Sequence, residues 1–327
     1  MDQPTPTDRS TQTMKAVRAH TRGGPETLVF EEAPVPAAPS GSDVLVEVHA
    51  AAITFDELTW DETWEAGGAD RTPIIPSHEF AGVVVATGPD ATGISVGDEV
   101  FGLVPFDRDG AAAQYVLTPA DTVAPRPATV PADVAAAAVL PGLTAMEALD
   151  AHLGVKAGGH LLVRGATGAV GSFLTQLAHA RGIEVTATVR SDASADSARR
   201  LGADHVVVGD ETETFPAGSV DAAIDAVGAD TPEWLYRAVR PGGRVVTLQA
   251  PPDPELAEAA GVDARFFVVK TSSANLTRLG DLLAAGALEA TISQTFPLEE
   301  GPAAYASRGA GRPAGKTILS VPRPDAV

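Results

Sequence analysis

From His160 to Arg190 the chain reads HLLVRGATGAVGSFLTQLAHARGIEVTATVR. The stretch begins with a short apolar run, His160 to Val163, whose length suits a buried strand. Glycines follow at Gly165, Gly168 and Gly171. Behind them Val170, Leu174, Leu177 and Ala178 recur at helical spacing, so the loop opens a helix that stops at Arg181-Gly182. A second apolar run, Glu184 to Val189, predicts the next parallel strand. Strand, glycine turn, helix and strand form a βαβ unit, and such a turn suits a pyrophosphate. Glycine lets the backbone approach the phosphates, and the free N–H groups of the helix start point at the anion. The GxxGxxG spacing is looser than GxGxxG, and its place between strand and helix is what gives it meaning. A ligand-free glycine turn is the alternative. A dinucleotide is the expectation, held by Gly165, Ala166, Thr167, Gly168, Ala169, Val170 and Gly171.

The end of the second strand narrows the cofactor. An NAD site usually carries an acidic residue there for the ribose hydroxyls. Here the residues are Ala187-Thr188-Val189-Arg190-Ser191, with no carboxylate before Asp192. The planar fork of Arg190, beside Thr188 and Ser191, suits a 2′-phosphate. NADPH is therefore expected over NADH, with a solvated surface arginine as the alternative.

Composition bounds the rest. A chain of 327 residues suggests two domains, and 44% hydrophobic content is ample for packed cores. No apolar run is expected to span a membrane. Residues 1–13 are polar, without the basic-then-apolar pattern of a signal peptide, and are expected to form a disordered tail of a cytoplasmic protein. With 43 acidic against 23 basic residues the net charge is −20, a field that repels nucleic-acid phosphates. There is no cysteine, which removes disulfides, thiolate catalysis and thiolate metal sites.

Outside the glycine stretch the periodicity changes twice. Residues 14–22 and Leu28 to Glu32 read as a hairpin, and Asp43 to Val48 as a strand. The segment ITFDELTWDETW reads as irregular or helical, with exposed Trp60 and Trp64. Phe80 to Ala86 is a strand in which Gly82 marks a close backbone approach. Further strands are expected up to Phe101-Gly102 and over Ala111 to Leu117, a β-barrel-like pattern. Alanine-rich sequence from Thr129 predicts one helix starting at Pro131 to Asp133 and a second near Gly142. Strands then follow at His205 to Val208, Val220 to Val227, Arg244 to Gln249 and Ala264 to Lys270. A helix at Pro232 to Val239 closes at Pro241-Gly242-Gly243. That alternation describes a doubly wound parallel sheet. Helix Leu276 to Ala285 and strand Thr317 to Val321 end the pattern.

The segments MKAVRAH, PSHEFAGVV, VGDEVFGL, LPGLTAMEAL, VRGATGAVG, LGADHVVV, DAAIDAVG, RPGGRVVTL and GKTILSV run in order from residue 14 to 321. Together they resemble the zinc-independent medium-chain dehydrogenase/reductases of the quinone oxidoreductase type. The resemblance implies an α/β protein with a GroES-like β-barrel catalytic domain (14–125 and 271–327) and a Rossmann domain (126–270), NADPH lying between them. It implies that Thr144 contacts the cofactor, that Ala226, Val227 and Gly228 flank the nicotinamide side, that Phe266 and Phe267 line its pocket, and that Lys316 approaches it. It also implies a homodimer, with a tetramer as the alternative. The zinc-dependent branch binds its metal through a cysteine, a His-Glu pair and a further cysteine or acid. Only His78-Glu79 is present here, Thr54 stands near the place of the first cysteine, and no metal is expected. In the quinone-reductase pattern an asparagine commonly stands at Thr54, and a tyrosine where this chain has Gly209.

The resemblance points to hydride transfer from NADPH to a small quinone or α,β-unsaturated carbonyl, where charge spreads onto a distant oxygen without a Lewis acid. Thr54, Asp56 and Trp60 are the catalytic candidates, with Trp64 and Phe266 also lining the pocket. The alternatives are an enoyl or ene reductase of a biosynthetic pathway, a low-turnover NADPH-binding sensor, and a zinc enzyme with an unusual ligand set.

Overall fold

The structure is a computed structural model and describes residues 12–209, 215–228, 230–309 and 314–323. The expected tail falls largely outside them, although Thr13 already opens a strand. The chain divides into two compact units, one of residues 1–139, 271–284 and 291–327, the other of 140–270 and 285–290.

In the first unit a seven-stranded sheet is built around Asp43–Ile53. One half of this strand pairs with Tyr115–Pro119, the other half with Lys316–Ser320, and its opposite edge runs along Glu79–Thr87. All three pairings are antiparallel. The strand is buried on both faces, which explains its near-continuous apolar sequence and the small Ala50, Ala51 and Ala52. Gly82 is required where the strands meet most closely: a Cβ there would stand 2.0 Å from the Glu47 carbonyl oxygen. Glu99–Leu103, Val123–Pro125 and Ile292–Pro297 complete the sheet, and Thr13–Ala19 pairs with Leu28–Pro34 as an antiparallel hairpin. Val46, Phe80, Val100, Trp64 and Tyr305 share the core.

The second unit holds a six-stranded sheet, parallel throughout. Its order is His205–Val208, Glu184–Val189, His160–Arg164, Val220–Asp225, Val239–Thr247, Asp263–Phe266. In chain order of the strands this is 3-2-1-4-5-6, and the winding direction reverses between His160–Arg164 and Val220–Asp225. Ligands of doubly wound sheets bind outside the carboxyl ends of the strands at such a reversal. Leu161, Leu162, Val163, Ala222, Ala223 and Ile224 are fully buried, as strands covered on both faces require.

Several expectations change. The two helices foreseen after Thr129 are one, Ala132–Glu147, with Pro141 inside it and a π-turn at Ala148–His152. Proline removes one helical N–H, but Ala135 to Val139 and Ala145 are buried, and packing holds the helix through it. Within this 21-residue run an 18-residue window has mean hydropathy 1.4, apolar enough to cross a membrane, contrary to expectation; 72% of that window is buried within the protein, as in a core helix. Pro241-Gly242-Gly243 lies inside the strand Val239–Thr247 rather than before it, where the pairing register with Val220–Asp225 shifts. Helices Asp192–Arg200 and Pro254–Ala260 were not foreseen; their signals were the caps Ser191 and Asp253, which accept backbone N–H bonds.

Candidate active site

The two units each gather part of the expected site. In the second, the glycine turn caps the first strand. Gly165 has φ +80°, a left-handed conformation natural to glycine, and its N–H and that of Ala166 donate to the Thr188 carbonyl at 3.2 and 3.3 Å. Gly168 is the N-cap of helix Ala169–Ala180, and no side chain caps it. A Cβ on Gly171 would meet the Gly165 carbonyl oxygen at 2.2 Å, so helix and turn touch where only hydrogen fits. Thr167, Gly168, Ala169 and Val170 are half-buried and form the open rim. This cradle of glycines, with an uncapped 12-residue helix behind it, fits a pyrophosphate.

The same strand ends bring Ala226, Val227 and Gly228 beside it. A Cβ on Gly165 would stand 2.8 Å from Val227 Cγ2. Buried Asp225 fixes this segment: it pairs with Arg164 at 2.9 Å and accepts from the Val227 N–H at 3.0 Å and the Thr231 hydroxyl at 2.8 Å. Arg190 is exposed, as is Ser191, whose hydroxyl is engaged in capping the next helix. The Thr144 hydroxyl donates to the Leu140 carbonyl at 2.7 Å. Phe266 is 38% exposed, whereas Phe267 stacks on the His152 ring with centroids 4.2 Å apart. Gly209 has φ +97° and ends the third strand, its N–H bonded to the Val189 carbonyl at 2.8 Å. A hollow lined by Asp221, Arg240 and Arg244 lies at the amino ends of the strands, away from the cradle, and Asp221 and Arg240 already pair there at 2.7 Å.

In the first unit three polar groups, two of them buried and Thr54 half-buried, close a ring. Lys316, 6% exposed, pairs with Glu79, 1% exposed. Its Nζ also donates to the Thr54 hydroxyl at 2.9 Å, and that hydroxyl donates to Glu79 Oε1 at 2.9 Å. Here Lys316, expected beside a cofactor, matches the charge of a buried glutamate. Next to it Glu57, fully buried, accepts from the Ser77 N–H at 2.9 Å, from His78 Nδ1 at 2.8 Å and from the Tyr305 hydroxyl at 2.6 Å. Burial first, and the Glu57 charge second, push the Tyr305 phenol well above its ordinary value, so it stays a donor. Asp56 pairs with Arg308. Trp60 meets Phe106 edge to face at 5.1 Å, and Phe106 meets His78 likewise at 5.2 Å.

Trp64 is corrected: it is 2% exposed, and its Nε1–H donates to the Leu58 carbonyl at 3.0 Å, so it belongs to the core. Trp64→Phe should destabilise the protein by about 2 kcal/mol through lost packing and an unpaired buried carbonyl. Urea unfolding measures this, and acceptor preference should stay unchanged. Sequence reasoning missed Glu57, Tyr305 and Arg308. Glu57 was visible three residues after Thr54, but Asp56 beside it offered the same chemistry, and nothing local says which carboxylate is buried.

A GroES-like β unit and a doubly wound sheet with a glycine cradle define a dinucleotide-binding oxidoreductase of two units. The alcohol dehydrogenase GroES-like domain family matches residues 40–128, and the zinc-binding dehydrogenase family matches residues 201–319. A probable quinone oxidoreductase of Schizosaccharomyces pombe is 35% identical over 68% of this chain and 66% of its own length. The 2-haloacrylate reductase of a Burkholderia species is 28% identical over 92% of this chain and 97% of its own. A mycobacterial protein solved in complex with NADPH superposes with a TM-score of 0.82 at 28% identity, covering 94% of this chain and 99% of that one. The chain belongs to the medium-chain dehydrogenase/reductase family, on its quinone oxidoreductase-like branch, and is an NAD(P)H-dependent oxidoreductase. The residues do not fit the zinc that the second family's description implies. Glu79 is tied to Lys316 and Thr54, and among the described residues no group of three His, Cys, Asp or Glu side chains could hold a metal ion.

Proposed function

We propose that this chain reduces small conjugated carbonyl compounds, quinones or α,β-unsaturated carbonyls, with NADPH as reductant. The carrying observation is the cradle at Gly165–Gly171, where a Cβ on Gly171 would meet the Gly165 carbonyl oxygen at 2.2 Å and no side chain caps the helix that follows. A bound reduced nicotinamide supplies a hydride. The N–H groups at the start of helix Ala169–Ala180 bind the phosphates, Asp225 holds the Ala226–Gly228 segment in place, and Arg190 receives the 2′-phosphate. The haloacrylate reductase and the probable quinone oxidoreductase support a conjugated acceptor, and the NADPH complex supports the phosphorylated cofactor.

The test follows NADPH absorbance with chelator-treated enzyme against a benzoquinone, a naphthoquinone, an alkenone, an alkenal and a saturated aldehyde. Turnover of a conjugated acceptor and not of the saturated aldehyde is expected. Oxidation by none of the conjugated compounds, despite tight NADPH binding, would move the chain to a binding role. Arg190→Ala should weaken NADPH binding roughly ten- to a hundredfold, the worth of a charge-assisted hydrogen bond, and leave NADH unchanged. Equal losses for both cofactors would contradict the 2′-phosphate role.

A further inference from the structure

We propose that Thr231 and Arg164 are positioning residues for the cofactor. Acting through Asp225, they hold Val227 over Gly165 as a fixed apolar lip on the cradle, and that lip sets how slowly the dinucleotide leaves. The inference rests on the reading of the glycine cradle as the dinucleotide site.

Its ground lies wholly within the second unit, at the carboxyl ends of the two strands between which the winding reverses. Arg164 and Asp225 are the last residues of these strands and stand opposite each other in register. The carboxylate of Asp225, 1% exposed, is engaged on both oxygens. Oδ1 accepts the Val227 N–H at 3.0 Å. Oδ2 accepts from Arg164 Nη1 at 2.9 Å and from the Thr231 hydroxyl at 2.8 Å. Thr231 is backed in turn by buried Tyr236, whose hydroxyl bonds to it and accepts the Asp253 N–H at 3.0 Å. The Arg164 carbonyl takes the Ala226 N–H at 3.1 Å. Beyond Val227 the chain is fixed again: Gly228 has φ +91°, and a Cβ there would stand 2.4 Å from Gln249 Cγ.

Val227 is the residue that this framework leaves in the open. It is 52% exposed, while Asp225 before it and Gly228 after it are buried. Its Cγ2 lies 2.8 Å from the point where a Cβ on Gly165 would stand, so the isopropyl group covers the bare face of that glycine. A buried ion pair adds little net stability, because desolvation offsets its attraction. What Arg164 and Asp225 do here is specify where one exposed side chain lies. A ligand at such a strand reversal sits outside the strand ends, against Gly165 and Val227. A lip already in place needs no ordering when the dinucleotide binds, and differences of this kind are read mostly in the rate of release. Because Val227 borders the glycine turn and not Arg190, NADPH and NADH should be affected alike.

The experiment follows release of NADPH, and of NADH, by stopped-flow fluorescence. It compares wild type, Thr231→Val, Thr231→Ser, Val227→Ala and the double variant of Thr231→Val with Val227→Ala. Thr231→Val keeps the shape and removes the hydroxyl; it should speed release of both dinucleotides roughly three- to tenfold, the worth of one hydrogen bond. Thr231→Ser, which keeps the hydroxyl, should release them at the wild-type rate. In the double variant the two effects should not add, since without the valine side chain Thr231 has no lip to hold. A folded Thr231→Val protein with wild-type release overturns the proposal, as do additive effects in the double variant. If Thr231→Val does not fold, Val227→Ala decides, because that side chain is exposed: wild-type release from it removes the lip. A wild-type protein that binds neither dinucleotide would instead sink the reading of the cradle, and the lip with it.

Discussion

Lys316→Met should cost about 3–5 kcal/mol of stability, because it strips a buried carboxylate of its cation. Glu79 is 1% exposed, so water cannot take over the role of the ammonium. Thr54 remains as a donor at 2.9 Å, but a hydrogen bond to a buried carboxylate does not replace a counter-charge in a medium of low polarity. The double variant Lys316→Met with Glu79→Gln should recover most of the loss, since an amide needs hydrogen bonds and no counter-charge. Urea unfolding of the single and double variants completes the cycle. A single variant as stable as wild type would mean that Glu79 takes up a proton when its partner is removed.

Gly171→Ala should abolish measurable dinucleotide binding. The added methyl would stand 2.2 Å from the Gly165 carbonyl oxygen and 2.9 Å from the Ala166 Cα. Both are backbone atoms of the turn itself, so no side chain can swing aside, and the helix start must retreat from the strand end. Overpacking of this kind typically costs about 1–3 kcal/mol in stability. Binding suffers more, because the N–H groups that face the phosphates move with the helix. Gly168→Ala is the internal control: its methyl would lie 3.2 Å from the same oxygen, a distance that a few tenths of an ångström relieve. Calorimetric titration with NADPH should show a small loss for Gly168→Ala and none of the wild-type heat for Gly171→Ala. Equal behaviour of the two would contradict the account of the cradle.

What the sequence made legible was local. The glycine turn was readable because a strand precedes it and a helix follows within a few residues. His205–Val208 was readable for the same reason, as a short apolar run between turn signals. Gly82 could be singled out as a close approach, since a glycine amid valines has few other uses. The continuous helix through Pro141 was not legible, because proline speaks locally against it and only burial decides in its favour. Nor were the two tryptophans separable: Trp60 and Trp64 share a segment, yet one meets Phe106 and the other is core. The polar groups of the first unit were hidden most deeply. Tyr305 meets Glu57 across 248 residues, and Arg308 meets Asp56 across 252. No pattern in a single sequence announces such partners.

Strand Lys316–Ser320 has a consequence for how the molecule comes into being. Its pairing partner, residues 50–53, leaves the ribosome long before it does, and Glu79 is synthesised 237 residues ahead of Lys316. During translation the first unit therefore waits with an open strand edge and an unmatched acid, while residues 140–270 emerge as one contiguous stretch and can fold first. A transcript cut short before codon 316 would yield a chain whose nucleotide-binding half is finished and whose other half is a sticky, unclosed sheet.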